Sequence, residues 1–94
     1  MDEEIGCEHN DRSGYFYVKI NDMLEAKMNF VFNDAHKIII SHTEVKPRNK
    51  GKGYGRKLVE KAVEFARENK TKILPICSYT KSILLRNPEF RDVL

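Results

Sequence analysis

At 94 residues the chain makes one small domain with a thin core, and its 40% hydrophobic and 33% charged residues, with only five Gly and three Pro, exclude a disordered or collagen-like polymer. Two cysteines, Cys7 and Cys77, exclude a multiply bridged secreted scaffold and point to reduced thiols. The net charge of +3 is too small to name a partner; the acidic start Met1-Asp2-Glu3-Glu4 lacks the basic opening of a signal peptide, and no apolar run approaches the ~18 residues that cross a bilayer, so a soluble cytoplasmic protein with no membrane partner is expected.

Residues 1–14 are polar and acid-leaning and read as a mobile N-terminal tail; residues 15–94 read as the single folded domain. In Tyr15-Phe16-Tyr17-Val18-Lys19-Ile20, the residues Phe16, Val18 and Ile20 share one face of a strand. Asn21-Asp22 supplies turn chemistry, and the next run alternates cleanly, with Leu24, Ala26, Met28, Phe30 and Phe32 on one side and Glu25, Lys27 and Asn29 on the other. Asn33-Asp34-Ala35-His36 turns the chain again. Lys37 to Val45 is then a third strand, its β-branched isoleucine run placing it centrally.

After Pro47 the period changes. Leu58, Val59, Ala62, Val63, Phe65 and Ala66 recur at helical spacing, which predicts a helix from about Gly53–Gly55 to Asn69. Thr71 to Cys77 reads as a fourth strand, parallel to the third because a helix crossover joins them. Pro75 has no N–H for a ladder, so the pairing should fail there. From Ser78 a short helix runs to Asn87-Pro88. The fold class is α+β, one sheet in the order β-β-β-α-β-α, antiparallel strands followed by a parallel, splayed one.

Between strand and helix, residues 46–57 hold six basic side chains, no acid, and Gly51, Gly53 and Gly55. Glycines let backbone approach a ligand, and a helix N-terminus offers free N–H groups to phosphate oxygens. The spacing fits neither a Walker loop nor a dinucleotide fingerprint. As a bare pattern it suits a phosphate site or a flexible turn.

The stretch Val45-Lys46-Pro47-Arg48-Asn49-Lys50-Gly51-Lys52-Gly53-Tyr54-Gly55-Arg56-Lys57-Leu58 resembles the acetyl-CoA pyrophosphate loop of the GNAT N-acetyltransferases, Gln/Arg-x-x-Gly-x-Gly/Ala. Here Lys50 stands at the Gln/Arg position in the register set by Pro47 and Leu58. With His42-Thr43-Glu44-Val45, Phe65-Ala66-Arg67-Glu68-Asn69 and Pro75-Ile76-Cys77-Ser78-Tyr79, the chain resembles over residues 15–94 a short GNAT subfamily that lacks the N-terminal helices. The resemblance implies a truncated GNAT fold. It also implies acetyl-CoA as cosubstrate, held by Lys50, Gly51, Lys52, Gly53, Tyr54, Gly55 and Arg56 at the phosphates. Thr43 and Val45 would offer their strand edge to the pantetheine.

Cys77 precedes a helix, where a thiol's pKa falls; on the bare sequence a small buried hydrophobe is the commoner fate, but the resemblance implies a cysteine near the acetyl group. His42, with an unperturbed pKa near ~6.5, is a candidate base. It would meet Cys77 across neighbouring strands, with Glu44 on its own face as an orienting group or base. Tyr79 is a candidate acid for the departing thiolate, or a packing residue. His9 and His36 receive no role, and Cys7-Glu8-His9 has no partner pair, so no metal is expected. The reading is an acetyl-CoA-dependent N-acetyltransferase acting on an amine of a protein or small molecule, by direct transfer or through an acetyl-Cys77 enzyme, and active as a monomer or weak dimer. Two rivals remain: an acetyl-CoA-binding module without efficient turnover, and a nucleic-acid binder, disfavoured because no recognition motif accompanies the basic residues.

Overall fold

A computed structural model describes residues 2–34 and 36–94, Asp34 by its backbone alone. Ala35, in the turn expected at 33–36, and Met1, in the expected tail, lie outside the described residues. The strands are β1 (Glu3–His9), β2 (Ser13–Ile20), β3 (Met23–Asp34), β4 (Lys37–Val45) and β5 (Lys72–Pro75). Helix α1 (Tyr54–Glu68) crosses between β4 and β5, and α2 (Ser78–Arg86) follows β5. The sheet order is β1-β2-β3-β4-β5. Neighbours are antiparallel through β4, and β5 joins β4 in parallel, as a helix crossover requires.

The alternation of the strands and the helical period of 58–66 meet on one side of the sheet. Phe16, Val18, Met28, Phe30, Ile38 and Ile40 from the strands, and Leu58, Val59, Ala62 and Ala66 from α1, are at most 1% exposed. Each fully buried large side chain stabilises the fold by about 1.5–3 kcal/mol, so a net stability of order 5–15 kcal/mol rests on this single layer.

One expectation is corrected. Residues 3–9 are not a tail but β1, so the order begins with four strands rather than three. Ile5 and Cys7 turn inward and pack against the core. The His9 ring stands edge-on to Phe32 and Phe65, centroids 5.7 and 5.5 Å away. On the other face, Tyr17 donates to Glu4 at 2.8 Å and Tyr15 to Glu8 at 2.9 Å. Lys57 of α1 reaches Glu3 at 2.6 Å.

Two irregularities shape the end of the sheet near the glycine loop. On β3, Val18 pairs with Ala26 but Lys19 with Leu24, so Glu25 is an extra, bulged residue. On β4, Ile40 opposes Phe30 but His42 opposes Asn29, so Ser41 is a second bulge. The parallel ladder ends at Ile40↔Pro75. Beyond it, the amides of Ile76 and Cys77 both donate to the Ile40 carbonyl at 3.1 Å, and the two chains diverge.

Candidate functional site

The loop after β4 begins as a 3₁₀ turn, Pro47–Asn49, and passes through Gly51 at φ +81° and Gly53 at φ +80°. A left-handed backbone strains most L side chains, β-branched ones above all, so glycine is favoured at both positions. Gly53 is the N-cap of α1; no side chain caps the helix and no acid lies in its first turn. The amides of Tyr54, Gly55 and Arg56 therefore lack intrahelical acceptors and, with the helix dipole, favour an anion.

The loop is fastened by a residue that sequence reasoning missed. The bulged Glu25, 5% exposed, accepts from Arg48 Nε at 2.9 Å, Arg48 Nη2 at 2.6 Å and Asn49 Nδ2 at 2.7 Å. Lys46 Nζ lies 3.5 Å from its carboxylate. Hydrogen bonds from Arg48, then Asn49, hold the carboxyl down to about 2. A lone acid opposite a basic loop was the available signal, but alternation assigned Glu25 to an exposed face.

Of the residues expected to hold the cofactor, Thr43, Val45, Lys50, Gly51, Gly53, Tyr54 and Gly55 line one open cleft of ≈ 590 Å³, together with Asn49 and Tyr79. Lys52 and Arg56 lie outside that lining: Lys52 Nζ is 3.5 Å from Asn49 Oδ1, and Arg56 Nη1 donates to Asn87 Oδ1 at 2.9 Å. The strand edge completes the cleft. Lys46 N–H bonds back to Glu25 on β3, so strict alternation turns the backbone groups of Thr43 and Val45 towards the side where β5 has departed. Tyr79 packs over the start of α1, where a Cβ added to Gly55 would collide with its hydroxyl and ring. Its hydroxyl thus stands at the helix-terminus end of the cleft.

Cys77 is the N-cap of α2. Its thiol donates to Thr43 Oγ1 at 3.5 Å, and Thr43 Oγ1 lies 3.3 Å from the Oγ1 of the fully buried Thr80. Burial pushes the thiol up. Hydrogen bonds from Thr43, from the amide and hydroxyl of Thr80 and from the Tyr79 amide outweigh it, leaving Cys77 below the ordinary cysteine value. Cys7 goes the other way, raised chiefly by burial.

His42 is not brought to Cys77. Thr43, the thiol's partner, opposes the core residue Met28, whereas His42 opposes Asn29 and Glu44 opposes Lys27. His42 and Glu44 therefore share the face of the sheet away from α1, and His42 Nε2 lies 2.9 Å from Glu44 Oε1. A second cleft of ≈ 440 Å³ between the β3 and β4 ends is lined by residues of both faces, Ala26, Thr43 and Val45 as well as Lys27 and Glu44, and does not include His42.

The basic residues are largely engaged. Lys46 and Arg48 face Glu25, Arg56 faces Glu60 and Glu89, and Lys57 faces Glu3. Among the described residues, Lys50 and Lys52 have no carboxylate partner. Among the described residues no cluster of His, Cys, Asp and Glu is arranged to hold a metal, and no helix is long and apolar enough to cross a membrane.

A mixed sheet that splays beside a glycine-rich helix start is the architecture of an acyltransferase family. Residues 15–93 match the GCN5-related N-acetyl-transferase family, and the chain belongs to it. It is also similar to the NMR solution structure of a GCN5-like protein from Staphylococcus aureus, with 32% identity and a TM-score of 0.69 over 93% of this chain and 84% of that one. No curated protein matches the chain.

Proposed function

We propose that the chain binds acetyl-CoA in the cleft beside β4 and passes the acetyl group to an amine. One observation carries this reading: a continuous run of unengaged polar groups with distinct chemistry along its length. At one end stand the α1 amides and the cation of Lys50, suited to a pyrophosphate. The open edge of Thr43 and Val45 follows, suited to amides of an extended chain. Cys77 stands outside the cleft lining and meets it through Thr43 Oγ1, 3.5 Å from its sulfur. Lys52 and Arg56, outside the cleft lining, would act on the phosphates through their charge.

Acetyl-CoA, when bound, supplies an activated thioester. The protein's own contribution is to hold it, to offer backbone N–H groups where charge develops on the acetyl oxygen, and to move a proton. Cys77, whose thiol is lowered against burial by Thr43, Thr80 and the Tyr79 amide, would accept the acetyl group in a two-step route. His42, with Glu44 orienting it at 2.9 Å, would take the proton of an amine arriving on the opposite face of β4. Tyr79, against Gly55, seats the phosphate end rather than acting as an acid. The module reading draws on one observation, the separation of imidazole and thiol onto opposite faces, which leaves Cys77 without His42 as its base.

The test is incubation with acetyl-CoA, followed by intact mass and release of free CoA, with and without a panel of amines. Amine-dependent CoA release supports the transferase, and a labile acetyl adduct lost in Cys77→Ser supports the two-step route. Thermal stabilisation without adduct or turnover supports the module. Absence of any melting shift at millimolar acetyl-CoA overturns the whole reading, since binding at a hundredfold excess over Kd stabilises by about 2.7 kcal/mol.

A further inference from the structure

A separate depression of ≈ 370 Å³ adjoins the main cleft, sharing Tyr79 with it and lined also by Arg56, Ile83, Arg86 and Asn87. Arg56 sits in the first turn of α1, next to Gly55, and Arg86 in the last turn of α2. Two guanidinium groups from different helices thus flank a hollow whose other walls are an aromatic ring, an apolar side chain and an amide.

We propose that this hollow is the subsite for the 3′-phosphate of CoA, making the protein selective for 3′-phosphorylated CoA thioesters over their dephospho forms. The proposal rests on the acetyl-CoA reading above. A pyrophosphate at the α1 amides puts the adenosine ribose next in line, and the hollow begins one residue beyond Gly55. The Asn87 bond at 2.9 Å holds the Arg56 guanidinium in place. Its contacts to Glu60 and Glu89, 3.5 and 3.7 Å, are long and half-exposed. Arg86 spends one N–H on the Ser82 carbonyl, at 3.2 Å, which leaves its remaining guanidinium donors for a phosphate. Tyr79 and Ile83 offer a surface on which a purine packs.

A rival hollow on the other side of the loop, ≈ 340 Å³, contains Arg48 and Lys52 but also Glu25. There the carboxylate already neutralises Arg48 and would face the incoming phosphate. The Arg56–Arg86 hollow has no carboxylate in its lining. Glu60 and Glu89 meet Arg56 from outside it at 3.5 and 3.7 Å, against 2.6 Å for the Arg48–Glu25 pair, and Arg86 has no carboxylate partner among the described residues, which favours this hollow.

The experiment is calorimetric titration of CoA and 3′-dephospho-CoA, which keeps the pyrophosphate, into the native chain and into Arg86→Ala, Arg56→Lys and Lys50→Ala. Arg86 is exposed at a helix end, so its removal spares the fold. The native chain should prefer CoA by about tenfold or more, the value of one charge-assisted phosphate contact. Arg86→Ala should bring the ratio of the two Kd values towards one, and Arg56→Lys should lower it. Lys50→Ala should weaken both ligands alike and leave the ratio intact. Equal affinities in the native chain overturn the subsite while the acetyl-CoA reading stands. A preference unchanged by both arginine variants also overturns it, placing the 3′-phosphate elsewhere. If neither nucleotide binds, the acetyl-CoA reading falls and the subsite with it.

Discussion

Substituting Gly53 separates backbone strain from occupation of the cleft. At φ +80° a Cβ added there meets no atom within 4 Å, so a side chain costs nothing by collision and everything by backbone conformation. A β-branched residue forced into the left-handed region loses about 1–2 kcal/mol, which for a domain of this size lowers Tm by about 4–16 °C. Asn tolerates that region far better, so Gly53→Asn should melt within about 4 °C of the native chain. Yet Gly53 lines the main cleft, and the Asn side chain projects into space left open by the protein. Displacing one charge-assisted phosphate contact costs about 1.5–3 kcal/mol, or roughly a ten- to 150-fold weaker Kd for acetyl-CoA. Thermal melts and calorimetry of Gly53→Val and Gly53→Asn check both halves. A Val variant that melts like the native chain refutes the strain argument; an Asn variant that binds acetyl-CoA normally refutes the phosphate site.

Iodoacetamide should alkylate Cys77 faster than Cys7 at pH 7, because hydrogen bonds lower one thiol and burial raises the other; peptide mass spectrometry reads the order, and equal rates would count against an activated thiol. Thr43→Val removes the hydroxyl at 3.5 Å from the sulfur and should slow Cys77 while leaving Cys7 unchanged. Glu25 is held down to about 2 from an ordinary 4.5, so its stabilising contribution is complete above pH 4.5 and disappears as pH falls through 2. Glu25→Gln should accordingly be less stable than the native chain at neutral pH, with urea midpoints that converge on acidification; a gap independent of pH would refute the ion-pair account. His42→Ala should reduce amine-dependent CoA release while sparing any Cys77 adduct, and loss of the adduct itself would place the imidazole at the thiol after all.

The fold was legible where one signal dominated. Alternation over 26–32 and the helical period over 58–66 each specify a buried face without help from distant residues, whereas Leu24, expected on that face, is exposed beyond the Glu25 bulge. Pro75 marks the end of a ladder by its missing N–H. Strand β1 was not legible because its attachment is tertiary. Only Ile5 offers a large apolar side chain; the strand is otherwise held by Cys7 against the core, His9 on the phenylalanine cluster, and tyrosine hydroxyls from β2. None of those contacts has a local period.

The site shows the same division more sharply. Gly51 and Gly53 announce themselves because their left-handed backbone angles, +81° and +80°, favour glycine. Glu25 and His42 do not, since the side each faces depends on a bulge, and a bulge is one residue that breaks the period of two without a mark in the composition. Without Ser41 as an extra residue, His42 would follow Ile38 and Ile40 onto the core face and stand where Thr43 now meets Cys77. With it, Thr43 and Val45 take the cleft side and the imidazole goes to the opposite face with Glu44. Against burial, hydrogen bonds from Thr43, Thr80 and the Tyr79 amide lower the Cys77 thiol, and His42 is not among these partners; the imidazole pairs with Glu44 instead. The bulge thus sets Thr43, the thiol's partner, and the His42–Glu44 pair on the two faces of a single strand.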